Sequence, residues 1–193
     1  MGIFTAKFPA MLSHFQEQKL NHFFNIMDHD KNGQLEQYDF EALAENYSIL
    51  FGYDPGAEDY EAVRKACLRQ WYDLAEFIKP GTDTISKDQW FEFTEKAIMS
   101  SNFEMYNDYF TRLTDDLFNG FDSDKDGYIS LMEYVDMFVA YGIEVRFSAK
   151  SFKKLDRNAD EVISREELIA ALKEYFFSDD PAANGNYLFG FMP

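Results

Sequence analysis

Cysteine is almost missing from this 193-residue chain, and so are long apolar runs. A single thiol, Cys67, cannot close an internal disulfide, which fits a reducing compartment. Flanked by Ala66 and Leu68 in a helical stretch, it reads as a small core residue. No apolar run approaches the roughly 18–20 residues that a membrane span requires. The opening MGIFTAKFPAMLSHF has no apolar h-region followed by a small-residue cleavage site, so a cytoplasmic protein is expected rather than a secreted one. Met1-Gly2 would suit myristoylation, but Ala6 stands where Ser or Thr is usual, which disfavours it. Bases are scarce: 18 Lys and Arg face 35 Asp and Glu, a formal net charge of −17. Nucleic acid is therefore excluded as a partner, because phosphate binding needs a cationic footprint. Histidine is limited to His14, His22 and His29, which read as surface residues. With no nucleophile motif and no phosphate-cradling glycine loop, no enzyme is expected.

What the chain does have is apolar and aromatic mass. Hydrophobic residues make up 46% and aromatics 18%, with 21 Phe, so a core can form and the acidic excess is not a sign of disorder. The acids are also patterned. Four segments share one frame: DHDKNGQLEQYD (28–39), IKPGTDTISKDQ (78–89), DSDKDGYISLME (122–133) and DRNADEVISREE (156–167). Each has an aliphatic eighth residue: Leu35, Ile85, Ile129 and Ile163. Apolar residues recur at helical spacing on both sides, as in Leu20, Phe23, Phe24 and Met27 before the first segment and Phe40, Leu43, Ala44 and Tyr47 after it. Ser13 with Gln16 can cap the first helix. The unit is helix, twelve-residue loop, helix, used four times. Short strands at loop position 8 should pair the loops, Leu35 with Ile85 and Ile129 with Ile163.

The third segment matches D-x-D-x-D-G-x5-E without error, through Asp122, Asp124, Asp126, Gly127 and Glu133. Calcium takes six to eight oxygens at ~2.3–2.6 Å. Positions 1, 3 and 5 turn carboxylates inward, Tyr128 offers its carbonyl, Ser130 acts through water, and Glu133 is long enough to bind with both oxygens. Gly127 permits the positive φ of the turn. The first segment supplies Asp28, Asp30, Asn32, the Gln34 carbonyl, Glu36 and Asp39. Asp39 is one methylene shorter than the usual Glu, so coordination should fall toward six and magnesium should compete. The second segment puts Ile78, Pro80 and Gln89 at ligand positions and should hold no metal. The fourth fills every ligand position with Asp156, Asn158, Asp160, Val162 (carbonyl), Ser164 and Glu167, but has Glu161 where glycine is expected. A non-glycine residue at positive φ costs roughly 1–2 kcal/mol, about one decade of affinity. That weakens a site without abolishing it. Three Ca²⁺ are expected in all.

These loops identify the chain as similar to EF-hand proteins of the sarcoplasmic calcium-binding group, and it most resembles the calexcitin-like members. The Asp39 ending of loop one, the degenerate second loop, the connector YGIEV (141–145) and the tail SDDPAANGNYLFGFMP (178–193) carry that resemblance. It implies an all-α, cytosolic globule of four packed hands, acting as a calcium buffer or, in the calexcitin-like branch, a calcium signal protein. The expected organisation is a hand pair over 1–100, a second over 101–177, and a tail over 178–193 docked through Tyr187, Leu188, Phe189 and Phe191. A monomer is expected. A buffer is favoured over a sensor, because the eight Met are dispersed (Met27, Met99, Met105, Met132 and Met137 among them) and do not form a groove. A luciferin-binding or photoprotein relative is disfavoured, since all His and both Trp (Trp71, Trp90) precede residue 91.

Overall fold

Side-chain caps set several of the helix starts, and after the second, third and fourth twelve-residue segments they fall on Ser86, Ser130 and Ser164. The computed structural model describes residues 12–99 and 103–190; Gly2, Ala6 and Phe191 lie outside them. α1 (His14–Met27) opens on Ser13, whose hydroxyl accepts from Gln16 N–H while the Gln16 side chain accepts from Ser13 N–H. β1 (Gln34–Glu36) follows, then α2 (Gln37–Phe51). α2 stops at Gly52 in the left-handed region, with Tyr53 N–H donating to the Ser48 carbonyl at 2.8 Å. α3 (Glu58–Ile78), β2 (Thr84–Ser86) and α4 (Lys87–Met99) complete the first half.

The second half runs through α5 (Phe103–Phe121), β3 (Ile129–Ser130), α6 (Leu131–Ala140), α7 (Ser148–Leu155), β4 (Val162–Ile163) and α8 (Arg165–Phe177). The YGIEV connector is a second helix stop: Gly142 has φ +65°, and Ile143 N–H donates to the Phe138 carbonyl at 2.7 Å. A 3₁₀ turn over Val145–Phe147 leads into the short α7.

The strands pair two by two and antiparallel, with Leu35 opposite Ile85 and Ile129 opposite Ile163. All four of these side chains are buried. The loops are thereby held at their eighth residues, which fixes each loop's far side while the flanking helices fix its ends.

Aromatic packing fills the space between the hands. Phe23 lies 4.9–6.4 Å, centroid to centroid, from the rings of Trp90, Tyr175, Phe176 and Phe189. Trp90 Nε1–H donates to the Leu20 carbonyl at 3.2 Å, so its one polar atom is satisfied in the core. Leu188 and Phe189, beyond the last helix, are fully buried. Tyr134 Oη–H donates to the Leu188 carbonyl at 2.7 Å, and His22 Nε2 is 2.9 Å from the Phe189 carbonyl. His22 is thus half-buried and bonded to the tail rather than free on the surface; His14 and His29 are exposed.

Lys19 is a buried cation at the same seam. Its ammonium donates to the Glu174 carbonyl (3.0 Å), the Ser178 carbonyl (2.6 Å) and Asn186 Oδ1 (3.1 Å). It therefore joins α1, the end of α8 and the tail. Burial pushes its pKa down to about 8, against the pull of Asp179 and Glu174. No helix among the described residues is long and apolar enough to cross a membrane.

Candidate metal centres

Loops one, three and four share one hydrogen-bonding scheme, built from the ligand-type side chains themselves. The first-position aspartate accepts from the N–H of position 6: Asp28 from Gly33 (2.9 Å), Asp122 from Gly127 (3.0 Å) and Asp156 from Glu161 (3.1 Å). The third-position side chain accepts from the N–H of position 5, as Asp30 from Asn32 (3.0 Å), Asp124 from Asp126 (3.1 Å) and Asn158 from Asp160 (3.0 Å). The fifth accepts from the N–H of position 7: Asn32 from Gln34, Asp126 from Tyr128 and Asp160 from Val162, at 2.7–3.2 Å. Each of these bonds ties a side-chain oxygen to the backbone of its own loop.

Position 12 closes each loop in the same way. Asp39 accepts from His29 N–H (2.8 Å) and Glu36 N–H (2.8 Å). Glu133 accepts from Ser123 N–H (2.8 Å) and Ser130 N–H (2.8 Å). Glu167 accepts from Arg157 N–H (2.8 Å) and Ser164 N–H (2.9 Å). Positions 9 and 12 are also the N-cap and N3 of the exiting helix, so Ser130–Glu133 and Ser164–Glu167 are full capping boxes. The S-x-x-E spacing could have announced this double role from the sequence.

The second segment separates the two roles. Ser86 N–H donates to Gln89 Oε1 (2.9 Å) and Gln89 N–H to Ser86 Oγ (3.3 Å), so the helix cap is intact. Gln89 carries no charge, and Ile78 and Pro80 offer no side-chain oxygen. Thr82 replaces the fifth-position ligand, accepting from Thr84 N–H. The loop has kept its strand pairing and its helix cap, but it has lost its ligands, the positive φ at position 6 and the bond from position 2 to position 12, since Lys79 N–H donates to the Ala75 carbonyl instead.

Backbone conformation repeats as well. Position 6 has positive φ in all three acid-rich loops: Gly33 (+83°), Gly127 (+88°) and Glu161 (+70°). So does position 4, at Lys31 (+59°), Lys125 (+60°) and Ala159 (+59°), and at Gly81 (+76°) in the second segment. Position 4 escaped the sequence reading, because Lys and Ala carry no left-handed signature; only Gly81 could have hinted at it.

Charge converges most clearly in loops one and three. One ligand oxygen each from Asp28, Asp30 and Asp39 lie within 4.8 Å of one another, and the same holds for Asp122, Asp124 and Asp126. Asp122 Oδ1 is buried and has no hydrogen-bond partner among the described residues, a costly state for a carboxylate oxygen unless a cation meets it. In loop four Asn158 takes the place of the third carboxylate. Burial opposes the charge on Glu133, but bonds from Ser130 and Ser123 outweigh it and hold the carboxyl below its ordinary range. Glu167 is held down in the same way by Ser164 and Arg157. At Asp39 burial wins and the carboxyl is raised, although Glu36 and His29 make the equivalent bonds. Such a convergence of hard oxygens suits a hard divalent cation.

Comparison with known proteins points the same way. The EF-hand domain pair family matches residues 113–141. Calerythrin of Saccharopolyspora erythraea is 26% identical over 168 residues, covering 86% of this chain and 95% of its own length. A sarcoplasmic calcium-binding protein from amphioxus superposes with a TM-score of 0.74 at 20% identity, covering 94% of this chain and 100% of its own. The calcium-loaded apo form of a coelenterazine-binding protein from Renilla muelleri superposes with a TM-score of 0.75 at 22% identity, covering 93% and 99%. At these identities the two structures share the fold.

Proposed function

We propose that this chain is an EF-hand calcium-binding protein of the sarcoplasmic type, a cytosolic calcium buffer that takes up three ions, in loops one, three and four. The carrying observation is the position-12 carboxylate, which makes the same two backbone bonds in all three loops. In this reading Asp28, Asp30, Asn32, Gln34, Glu36 and Asp39 hold the first ion. Asp122, Asp124, Asp126, Tyr128, Ser130 and Glu133 hold the second. Asp156, Asn158, Asp160, Val162, Ser164 and Glu167 hold the third. The shorter Asp39 favours six-coordination, so magnesium competes most at loop one. Residues 1–100 and 101–177 act as two paired-hand units, with 178–193 as a docked tail.

Three ions bring the net charge from −17 to −11 and relieve self-repulsion, so uptake stabilises the fold. Calcium-binding proteins of this kind bind ions and catalyse nothing. A closed response, as opposed to a sensor's opening, is supported by the filled aromatic centre and by the dispersal of methionine: Met27 and Met137 are buried in separate helices, and Met132 is exposed. Hydrogen exchange with and without calcium tests this. Slower exchange at the Leu188 and Phe189 amides on calcium addition is expected. Faster exchange there would mean that calcium releases the tail, and the sensor reading would replace the buffer.

A further inference from the structure

The tail is tied to loop four through one carboxylate. Arg157, at loop position 2, is where the tie begins. Its backbone N–H donates to Glu167 Oε1 at 2.8 Å, and its guanidinium reaches Glu174 Oε1 at 2.9 Å. Glu167 and Glu174 stand two turns apart on one face of α8. The other oxygen of Glu174, Oε2, accepts from Gly185 N–H at 2.7 Å. Glu174 thus bridges the metal loop and the tail. The side chains of Arg157 and Glu174 are only 34% and 30% exposed, so solvent screens their pairing less than that of a surface ion pair. In loop three the residue at position 2 stays within its own loop, with Ser123 Oγ–H donating to Glu133.

The tail also crosses both helices of hand four. The 3₁₀ turn Asn184–Tyr187 packs on α7 and on α8. On α8 the approach is too close for any side chain, because a Cβ at Gly185 would lie 2.3 Å from the Ala171 carbonyl oxygen. On the α7 side the Lys154 ammonium lies over the Tyr187 ring, 5.5 Å from its centroid. Leu188 and Phe189 follow directly and are fully buried. A segment fastened to the entering and the exiting helix of one hand resists a change in the angle between them.

We propose that Asn184–Gly190 is a strap across hand four, and that calcium at loop four closes it through Arg157 and Glu174. The difference between the empty and the filled loop lies in charge. In the empty loop Asp156, Asp160, Glu161 and Glu167 compete with Glu174 for the Arg157 guanidinium. A divalent ion takes up Asp156, Asp160 and Glu167, which leaves Glu174 as the arginine's favoured partner. The ion also fixes Glu167, and with it the Arg157 N–H. By linkage, the closed strap strengthens calcium binding at loop four by the same factor. The inference rests on loop four being a calcium site.

The test is amide hydrogen exchange at Gly185 in the full chain, followed by NMR with and without saturating calcium, beside calorimetric calcium titration. Calcium should slow exchange there by about fivefold or more. In Arg157→Met, which removes the guanidinium and keeps the backbone N–H, the slowing should fall below about twofold while three ions still bind. Conversely, Gly185→Ala unseats the strap from α8. It should weaken loop four by the factor seen in the parent's exchange and leave loop one unchanged. Full slowing in Arg157→Met overturns the relay. Unchanged loop-four affinity in Gly185→Ala overturns the reciprocal effect and, by linkage, the coupling. Full slowing in Glu167→Gln, with loops one and three filled, assigns the effect to those loops and overturns the proposal. If Glu167→Gln leaves the parent's ion count unchanged, loop four is no calcium site, and that reading falls together with this one.

Discussion

Replacing Glu161 by glycine should stabilise the calcium-loaded protein, and the size of the gain can be worked out. Glu161 has φ +70° and is exposed, and its N–H donates to Asp156 Oδ2. A Cβ built at the equivalent Gly33 or Gly127 would meet nothing within 4 Å. The strain at position 6 is therefore in the backbone and not in neighbouring atoms, at roughly 1–2 kcal/mol. Glycine removes it but returns about 0.5–1 kcal/mol of freedom to the unfolded chain, leaving a net gain of about 0.5–1 kcal/mol. Glu161→Asn, which tolerates the left-handed region with less added freedom, should gain as much. Where the gain appears depends on when the turn forms. A turn that forms on ion binding yields a two- to fivefold higher affinity. A turn already held by the Asp156 bond yields ion-free stability at unchanged affinity. Denaturant unfolding of the loaded and ion-free proteins, with calorimetric titration, separates the two. Gly127→Ala is the mirror change and should lose about 0.5–1 kcal/mol by the same bookkeeping. Loaded Glu161→Gly and Glu161→Asn proteins no more stable than the parent would refute a strained turn.

Lys19→Met strips a donor from three buried acceptors, and urea unfolding should show a loss of about 2–4 kcal/mol. The same pair of proteins tests the lysine's titration. Below pH 8 Lys19 is charged folded and unfolded, and burial of the charge costs stability. Between about 8 and its ordinary 10.5 the folded state binds fewer protons, so parent stability should rise relative to Lys19→Met by up to ~1.4 kcal/mol per pH unit; a difference flat with pH would contradict this. Asp39→Glu should lengthen the reach of loop one, and calcium titration in millimolar magnesium should show weaker competition than in the parent.

Local features of the chain were legible, and long-range ones were not. Ligand spacing and the aliphatic eighth residues lie within twelve positions, and they led directly to the loops and to the pairing of Leu35 with Ile85 and Ile129 with Ile163. Apolar periodicity placed the flanking helices for the same reason. Lys19 looks like any polar-face lysine until Asn186, 167 residues away, is brought against it. His22 likewise gains its role only from the Phe189 carbonyl. The positive φ at Lys31, Lys125 and Ala159 is imposed by the loops' closed hydrogen bonding, and side-chain identity carries no trace of it. Asp39, one methylene shorter, makes the same two backbone bonds as Glu133 and Glu167. It also differs from them in that burial raises its carboxyl, while the other two are held down, and that burial depends on the fold around it and not on the loop's spelling. Gln89 looked like simple loss, whereas its amide preserves the helix cap that the carboxylate provides elsewhere.

The count of bound ions tests the account most directly. Calorimetric titration of the full chain with calcium should give a stoichiometry of three, falling to two in Glu167→Gln. A stoichiometry of two in the parent, unchanged by Glu167→Gln, would contradict it.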